Sequence, residues 1–201
     1  MARNPDTNET MRDVRIERIR NSALELFASK GLSATKIHDI AKHASMSQGL
    51  IYHYYDSKEA IYIELMESAL DRIIDAVNHL KAMPLSPSEK IKFAIENLIK
   101  LIDEDDRFSY RSHLIQQGAF LDLIPEGAKM RLNQKREIPY LEIESILAQG
   151  QREGSIIAGD PKELALLFWI NINGISLAKA THLDYFKMPR AESIYPLFFN
   201  L

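Results

Sequence analysis

The sequence contains no cysteine, which excludes disulfide bonds, thiolate metal sites and thiol catalysis. A basic-then-apolar leader is also missing, and apolar runs such as residues 164–170 are far shorter than the roughly 20 residues that a membrane-spanning helix needs. Alternating strand pairs, hairpin turn signals and internal repeats do not occur. These absences predict an all-α, soluble, cytoplasmic protein, and 201 residues suffice for one or two domains.

The signatures of common enzyme classes are absent too. The sequence has no His-Glu-x-x-His, no Gly-x-Ser-x-Gly, no phosphate-binding loop and no dinucleotide fingerprint. His38 and His43 lie five residues apart, whereas a helical metal pair needs four. The acidic run 103–106 fits a solvated loop better than a cation site. We therefore predict no enzyme activity, no cofactor and no bound metal.

Charge is nearly balanced, at −3 overall. The first 60 residues hold nine Lys or Arg and eight Asp or Glu, and the rest hold sixteen and twenty. Such a slight basic excess at the N-terminus predicts that any DNA affinity depends on a few placed contacts and on dimerisation, rather than on a broad positive field.

Residues 35–55 are the most informative segment. They predict two short helices, the first with one apolar face, followed by a turn at Ser45-Met46 and a second helix capped by Ser47. This is the plan of a helix-turn-helix, whose second helix lies in the DNA major groove. An ordinary helical hairpin is the alternative. The first helix is predicted to begin at Thr35 and to bury Ile37, Ile40, Ala41 and Ala44.

The flanking segments strengthen the DNA-binding interpretation. A preceding helix is predicted over 15–29 and ends at Lys30-Gly31, where glycine supplies the helix C-cap. Residues 1–13 are polar and read as a mobile arm. A capping box from Asp56 to Glu59 opens a long helix, predicted to reach about residue 81.

With these flanks, residues 15–65 resemble the TetR family of transcription regulators. The resemblance implies a homodimer. The chain departs from the family pattern at Ser45, where glycine is usual, and at Gln48, where lysine is frequent. The residues that carry the resemblance are Ala23-Leu24-Glu25-Leu26-Phe27, Lys30-Gly31, Thr35, Asp39-Ile40-Ala41, Ser47, Gly49, Ile51-Tyr52 and Ser57-Lys58-Glu59-Ala60.

The candidate DNA contacts are sorted by chemistry. Gln48 suits adenine, Leu50 suits a thymine methyl or alternatively packs on the first helix, and His53 suits a base edge or a phosphate. Gly49 allows close approach of the backbone. The side chains suited to phosphates are Thr35, Lys36, Ser47, Tyr52 and Lys58, although capping and surface solvation explain the same residue types.

The C-terminal part is predicted to be helical, with further capping boxes at Ser86 and Asp160 and with Pro139 kinking or interrupting a long helix over 125–153. Its apolar segments 141–151 and 164–179 suit either a dimer interface or intrachain core. The candidate interface residues are Leu141, Leu147, Leu164, Leu167, Phe168, Ile172, Gly174 and Ile175.

A ligand site is also expected here, because the resemblance implies a cavity enclosed by helices within 57–120. Polar groups in apolar surroundings would orient a mainly apolar effector, although each of them also fits a satisfied or exposed polar residue. The candidates are Asn97, Tyr110, His113, Gln116, Gln117, Asn171 and Asn173, with Phe93, Phe120 and Trp169 as walls.

The sequence thus predicts a DNA-binding head with its N-terminal arm over 1–56 and a helical ligand-binding and dimerisation domain over 57–201. The expected function is that of a transcription regulator, most simply a repressor that binds a palindromic operator as a homodimer and responds to a small molecule. The alternative is a helix-turn-helix protein without a small-molecule site, which acts architecturally or under the control of a protein partner.

Overall fold

The structure, a computed structural model, describes residues 5–118, 123–181 and 185–200, with side chains from Met11 onward. The described ranges contain α-helices and short 3-10 turns, and no strand occurs within them. The helices are α1 (Pro5–Ala34), α2 (Ile37–His43), α3 (Gln48–Tyr54), α4 (Lys58–Ala82), α5 (Pro87–Glu104), α6 (Asp106–Gly118), α7 (Glu126–Arg152) and α8 (Pro161–Ala180), followed by 3-10 turns at Ala191–Ser193 and Tyr195–Leu197. The predicted all-α class is confirmed.

Helix α1 is longer than predicted. It begins at Pro5, so most of the segment expected to form a mobile arm is helical, and only residues 1–4 of that arm lie outside the described residues. The predicted end of the helix is correct. Gly31 has φ 77° and ψ 164°, which breaks the helical path and turns the chain toward α2.

Helices α5 and α8 begin at their predicted caps, whereas α4 is capped by Ser57 and not by Asp56, the first residue of the predicted capping box. The Ser57 hydroxyl accepts the Ala60 N–H at 3.1 Å, and Asp160 accepts the Lys162 N–H at 2.9 Å. At Ser86 the reciprocal capping box is complete, because Glu89 in turn accepts the Ser86 N–H at 2.8 Å. These local signals therefore fix the start of α4, α5 and α8.

Pro139 does not interrupt α7, contrary to one of the two outcomes predicted for it. The helix runs through this buried proline from Glu126 to Arg152. The Pro139 carbonyl accepts the indole N–H of Trp169 at 3.3 Å, so this point of α7 is fastened to α8.

Buried side chains form two hydrophobic cores, and their boundary does not follow the predicted domain boundary at residue 56. The head core unites α1, α2 and α3 with the first half of α4, with Leu114 of α6 and with Leu132 of α7. The body core begins at Val77 of α4 and includes α5, the second half of α7, α8 and the C-terminal turns. Because α4, α6 and α7 contribute to the head core, the head is packed firmly onto the body.

The C-terminal segment packs on its own chain. Phe198 is fully buried, and its carbonyl accepts the Ile157 N–H at 3.0 Å. Tyr195 donates a hydrogen bond to Glu96 on α5, and the ammonium of Lys92 lies 5.0 Å from the ring centroid of Phe199. This segment closes the body core beside α5.

Candidate DNA-binding head and ligand cavity

The turn between α2 and α3 has the geometry that a helix-turn-helix needs. Ser45, where the family pattern usually has glycine, has φ 54°, which few residues other than glycine adopt. The Met46 N–H donates to the Ala41 carbonyl at 2.8 Å, and Ser47 accepts the Leu50 N–H at 3.2 Å. Ala41 and Ala44 are buried, so the two helices cross closely.

Helix α3 buries one face and exposes the other. Ile51 is fully buried, while Gln48, Gly49, Tyr52 and His53 are exposed, and we call these four exposed residues the recognition surface. The Gln48 amide lies 3.0 Å from Nδ1 of His38, so α2 orients it. A side chain built at Gly49 would touch no protein atom, so internal packing does not require a glycine there.

The side chains of Leu50, Tyr54 and Tyr55, the residue that follows α3, are partly or fully buried. Leu50 is half-buried, which leaves both of its predicted roles open. Tyr55 is buried, and burial together with the nearby Glu64 carboxylate raises the pKa of its hydroxyl. Tyr54 is partly buried against the head core.

Thr35 does not have the position predicted for it. Its side chain is fully buried, and its hydroxyl donates to the Gly31 carbonyl at 2.8 Å. The residue before α2 is Lys36, whose N–H donates to the Asp39 carboxylate at 3.2 Å. Thr35 therefore fastens α1 to α2, and its side chain is out of reach of a DNA phosphate.

Lys58 also binds backbone carbonyl groups, a role that the sequence did not reveal. Its ammonium donates to the carbonyls of Leu32, Ser33 and Thr35, at 2.7, 3.2 and 2.8 Å. An ammonium has three N–H donors, and all three are used here. Lys58 thus connects the start of α4 to the α1–α2 connection, and in this arrangement its ammonium has no N–H left for the predicted phosphate contact. Lys36 and Ser47 remain exposed.

A cavity of about 380 Å³ lies in the body between α4, α5, α6 and α8. This volume is within the range of about 300–1,000 Å³ typical of small-molecule sites. Ala69 and Ala76 of α4 face it, and their small side chains leave the space. Four of the predicted ligand-binding residues line this cavity, namely Phe93, Asn97, Trp169 and Asn173. Asn173 accepts the Ser112 hydroxyl at 3.1 Å.

The other predicted ligand residues do not line this cavity. Tyr110 packs against the head core, His113 lies 2.7 Å from the Gln117 amide, and Asn171 donates to the Leu167 carbonyl of its own helix at 2.8 Å. Gln116 lines a small adjoining pocket of about 60 Å³. Phe120 lies outside the described residues.

Three charged residues that the sequence analysis missed line the same cavity: Arg72, Asp105 and Arg111. Arg111 is paired with Asp105 at 2.9 Å. Each of them alone looks like a solvated charge on a helix. A usable signal existed for Arg72, because it interrupts the small apolar stripe of Ala69, Ile73 and Ala76 on α4.

The predicted dimer residues divide into two groups. Leu147, Leu164, Phe168 and Ile172 are buried within the chain, since they belong to the body core, and are therefore unavailable to a partner. Ile175 packs partly against the same core. The exposed members are Leu141, Leu167 and Gly174, and α8 adds the exposed side chains of Leu166, Ile170 and Leu177, which the sequence analysis did not single out. We call Leu166, Leu167, Ile170, Gly174 and Leu177 the α8 outer face.

Residues 5–118, 123–181 and 185–200 contain neither a cluster of metal-binding side chains nor a membrane-spanning helix. Nowhere in these ranges do three or more His, Asp or Glu side chains come together as a metal site would require. None of the helices in the same ranges combines the length and apolarity of a membrane span.

The turn geometry and the recognition surface together define a helix-turn-helix DNA-binding protein. Residues 19–65 match the family model described as "Bacterial regulatory proteins, tetR family". This match covers the head, so residues 19–65 form a DNA-binding domain of the TetR type.

Individual relatives extend the likeness to most of the chain. The HTH-type transcriptional repressor KstR2 of Rhodococcus jostii is 28% identical over 147 residues, which cover 73% of this chain and 70% of that protein. The fatty acid metabolism regulator protein of Bacillus subtilis is 26% identical over 146 residues, or 72% of each chain. The fold is similar to that of AibR in complex with isovaleryl coenzyme A and operator DNA, with TM-score 0.72, 18% identity and coverage of 90% of this chain and 94% of that one.

Proposed function

We propose that this protein is a repressor that binds a palindromic operator as a homodimer and releases it when a small, mainly apolar molecule enters the cavity. The observation that carries the proposal is the pairing of an exposed recognition surface on α3 with an apolar cavity of ligand size in the body. The relatives named as repressors and as a fatty acid regulator, and the AibR complex with an acyl coenzyme A, support the same kind of activity. Such a regulator acts where the DNA lies, in the cytoplasm.

The proposed division of labour follows the helices. The head reads DNA through Gln48, Gly49, Tyr52 and His53, with Lys36 and Ser47 on phosphates. The body binds the effector, and the α8 outer face with Leu141 of α7 pairs with a second copy. The proposal includes no chemical reaction.

In vitro selection from random duplex DNA tests the DNA-binding half of the proposal. We expect a palindrome whose half-sites are one helical turn apart, about 34–36 Å. The Gln48→Ala variant is expected to lose about 1–3 kcal/mol and to relax the preference at one base pair of each half-site. A selected profile identical to that of the parent would remove Gln48 from base recognition. Asn78→Ala, an exposed polar change on α4, is the matched control.

A thermal-stability screen with small apolar compounds tests the other half. A ligand present at a hundred times its dissociation constant stabilises the folded state by about 2.7 kcal/mol. The alternative, a helix-turn-helix protein without a small-molecule site, predicts no stabilisation by any of the compounds and no change in operator affinity when the cavity is filled.

A further inference from the structure

The cavity has an apolar lining with an unbalanced positive charge. Most of the lining is aliphatic or aromatic, with Phe93, Leu98, Phe108, Ile115 and Phe168 among its residues. Arg72, a solvent-exposed residue of α4, also lines it and has no hydrogen-bond or ion-pair partner in the part of the chain that the structure describes. A cation beside an apolar cavity favours a negatively charged group on whatever enters.

The second arginine of the cavity, Arg111, is paired with Asp105. Asp105 lies between α5 and α6, and we call this connection the α5–α6 joint. Arg111 donates from Nη2 to the Asp105 carboxylate at 2.9 Å, and its side chain is only 25% exposed. The planar guanidinium suits a carboxylate or a phosphate, so an anionic ligand and Asp105 compete for the same partner.

Asp105 joins α5 to α6. Its N–H donates to the Leu101 carbonyl at 2.9 Å, its carbonyl accepts the Phe108 N–H at 2.9 Å, and its carboxylate accepts the Arg107 N–H at 2.9 Å. Lys179 of α8 independently holds the end of α5 through the carbonyls of Ile102 and Asp103 and pairs with Asp106 at 3.0 Å. The joint would therefore stay attached to α8 if Asp105 lost Arg111.

Helix α6 connects this joint to the head core. Its Leu114 is fully buried, and the Leu114 carbonyl accepts the Tyr62 hydroxyl at 3.2 Å. Gly118 lies so close to α4 that a Cβ there would be 2.5 Å from the end of the Met66 side chain. Tyr62 in turn packs edge-to-face on Phe27 of α1, with ring centroids 5.3 Å apart. A shift of α6 therefore reaches the head directly.

We infer that the cavity takes an apolar ligand with an anionic head group, and that this head group binds Arg72 and Arg111, displaces Asp105 and loosens the α5–α6 joint. The displacement is the step that links occupancy of the cavity to the head. The inference rests on the proposed function, since it names the ligand class and the switch of the same site.

The first test compares three probes of equal chain length on the full-length protein by titration calorimetry: decanoate, decanoyl coenzyme A and neutral 1-decanol. We expect one of the anionic probes to bind at least about tenfold more tightly than the alcohol, which corresponds to about 1.4 kcal/mol. Preference for decanoate assigns a carboxylate head, and preference for the thioester assigns a phosphate head. Arg72→Gln and Arg111→Gln should remove the preference, whereas Arg107→Gln, which deletes the same charge from an exposed position of α6, should keep it.

The second test concerns the switch and needs no ligand. Asp105→Asn keeps an oxygen for the Arg107 N–H and weakens the pair with Arg111, and Arg111→Gln breaks the same pair from the other side. Each is expected to weaken binding to the selected operator about tenfold, and the double variant no further. Arg107→Gln should bind like the parent, and unfolding curves establish that all variants are folded.

The possible results separate the inference from the proposed function. If 1-decanol and both anions bind equally well and a cavity-filling variant abolishes this binding, the anionic head group is wrong. The proposed ligand-responsive repressor would remain supported. Parental operator affinity in both Asp105→Asn and Arg111→Gln would overturn the switch. If no probe binds and filling the cavity leaves operator affinity unchanged, the proposed ligand-responsive function is wrong. The inference about the head group and the switch is then wrong as well.

Discussion

At the scale of single residues, the head depends on positions whose backbone geometry is unusual or whose polar atoms are all used. Ser45 adopts φ 54°, and Lys58 has all three of its N–H donors engaged by carbonyl oxygens. Both are departures from what their residue types do on average. Each leads to a substitution that is expected to change the free energy of unfolding in a stated direction.

Ser45→Gly is expected to stabilise the protein. Glycine relieves the strain of the left-handed conformation, about 1–2 kcal/mol, and costs about 0.5–1 kcal/mol in backbone entropy, so a net gain of about 0.5–1 kcal/mol should appear in urea unfolding. The same change at Ser29, an exposed helical position of α1, should destabilise by a similar amount. A loss of stability in both variants would contradict the strain at Ser45.

Lys58→Met is expected to lower the free energy of unfolding by about 1–3 kcal/mol, because three carbonyl groups lose a charged donor. The slope of operator affinity against salt should stay that of the parent, since the N–H donors of the ammonium are engaged by carbonyl groups of the protein. Lys36→Met should behave in the opposite way, with parental stability and a shallower salt slope. If Lys58→Met has parental stability and a shallower slope of operator affinity against salt, Lys58 contacts a phosphate after all.

At the scale of secondary structure, the sequence predicted features that depend on neighbouring residues, such as helix starts. It did not predict features that depend on contacts between distant parts of the chain. The starts of α5 and α8 follow from Ser86 and Asp160, and the cap of α4 lies one residue after the predicted Asp56, at Ser57. Such signals are local, since a cap and its partner lie within three residues of each other. Lys58 was misplaced because its partners lie 23 to 26 residues away, at a connection that exists only in the folded head.

The apolar stripe of α8 shows the same limit. The periodicity of the sequence identified this stripe. It could not show which residues of the stripe face the body core and which are exposed, because α8 is apolar around most of its circumference. The structure divides them: Phe168 and Ile172 face inward, whereas Leu167 and Ile170 are 41% and 54% exposed. The lining of the cavity is likewise tertiary, since α4, α5, α6 and α8 all contribute to it.

Leu167→Glu and Ile170→Glu are each expected to give folded monomers. A carboxylate on the α8 outer face would be buried without a partner in a dimer, while in the monomer it remains in water. Sedimentation should show the change of mass, and operator affinity should fall with it. Met130→Glu, a 58% exposed residue at the other end of α7, should leave the assembly intact. Dimers in both α8 variants would place the interface elsewhere.

At the scale of the whole molecule, the two cores explain how a body site could influence a head that does not touch it. The cavity lies next to Val77 and Phe168 of the body core and next to Ala69 of α4, one turn from head-core residues such as Leu65 and Met66. Because α4 belongs to both cores, tilting it moves the head relative to the α8 outer face. In a dimer, that tilt changes the separation of the two recognition surfaces.

Filling the cavity from α4 should therefore alter DNA binding without a ligand. In Ala76→Phe the new ring enters the cavity, and we expect operator affinity to change several-fold while ligand binding is lost. Ala82→Phe adds the same ring at the exposed end of α4 and serves as the control. Parental operator affinity and parental ligand binding in Ala76→Phe would show that the cavity plays no part in the response.

Ligand and operator must also influence each other equally. Operator binding needs the two recognition surfaces about 34–36 Å apart, and a ligand that weakens this binding tenfold does so through about 1.4 kcal/mol of preference for another spacing. Thermodynamic linkage then requires the operator to weaken ligand binding by the same factor. We would measure operator affinity with and without the tightest-binding probe, and probe affinity with and without operator, on one preparation at one salt concentration. A probe that binds free and operator-bound protein equally well is no allosteric effector, whatever its affinity, because it has no preference between the two spacings.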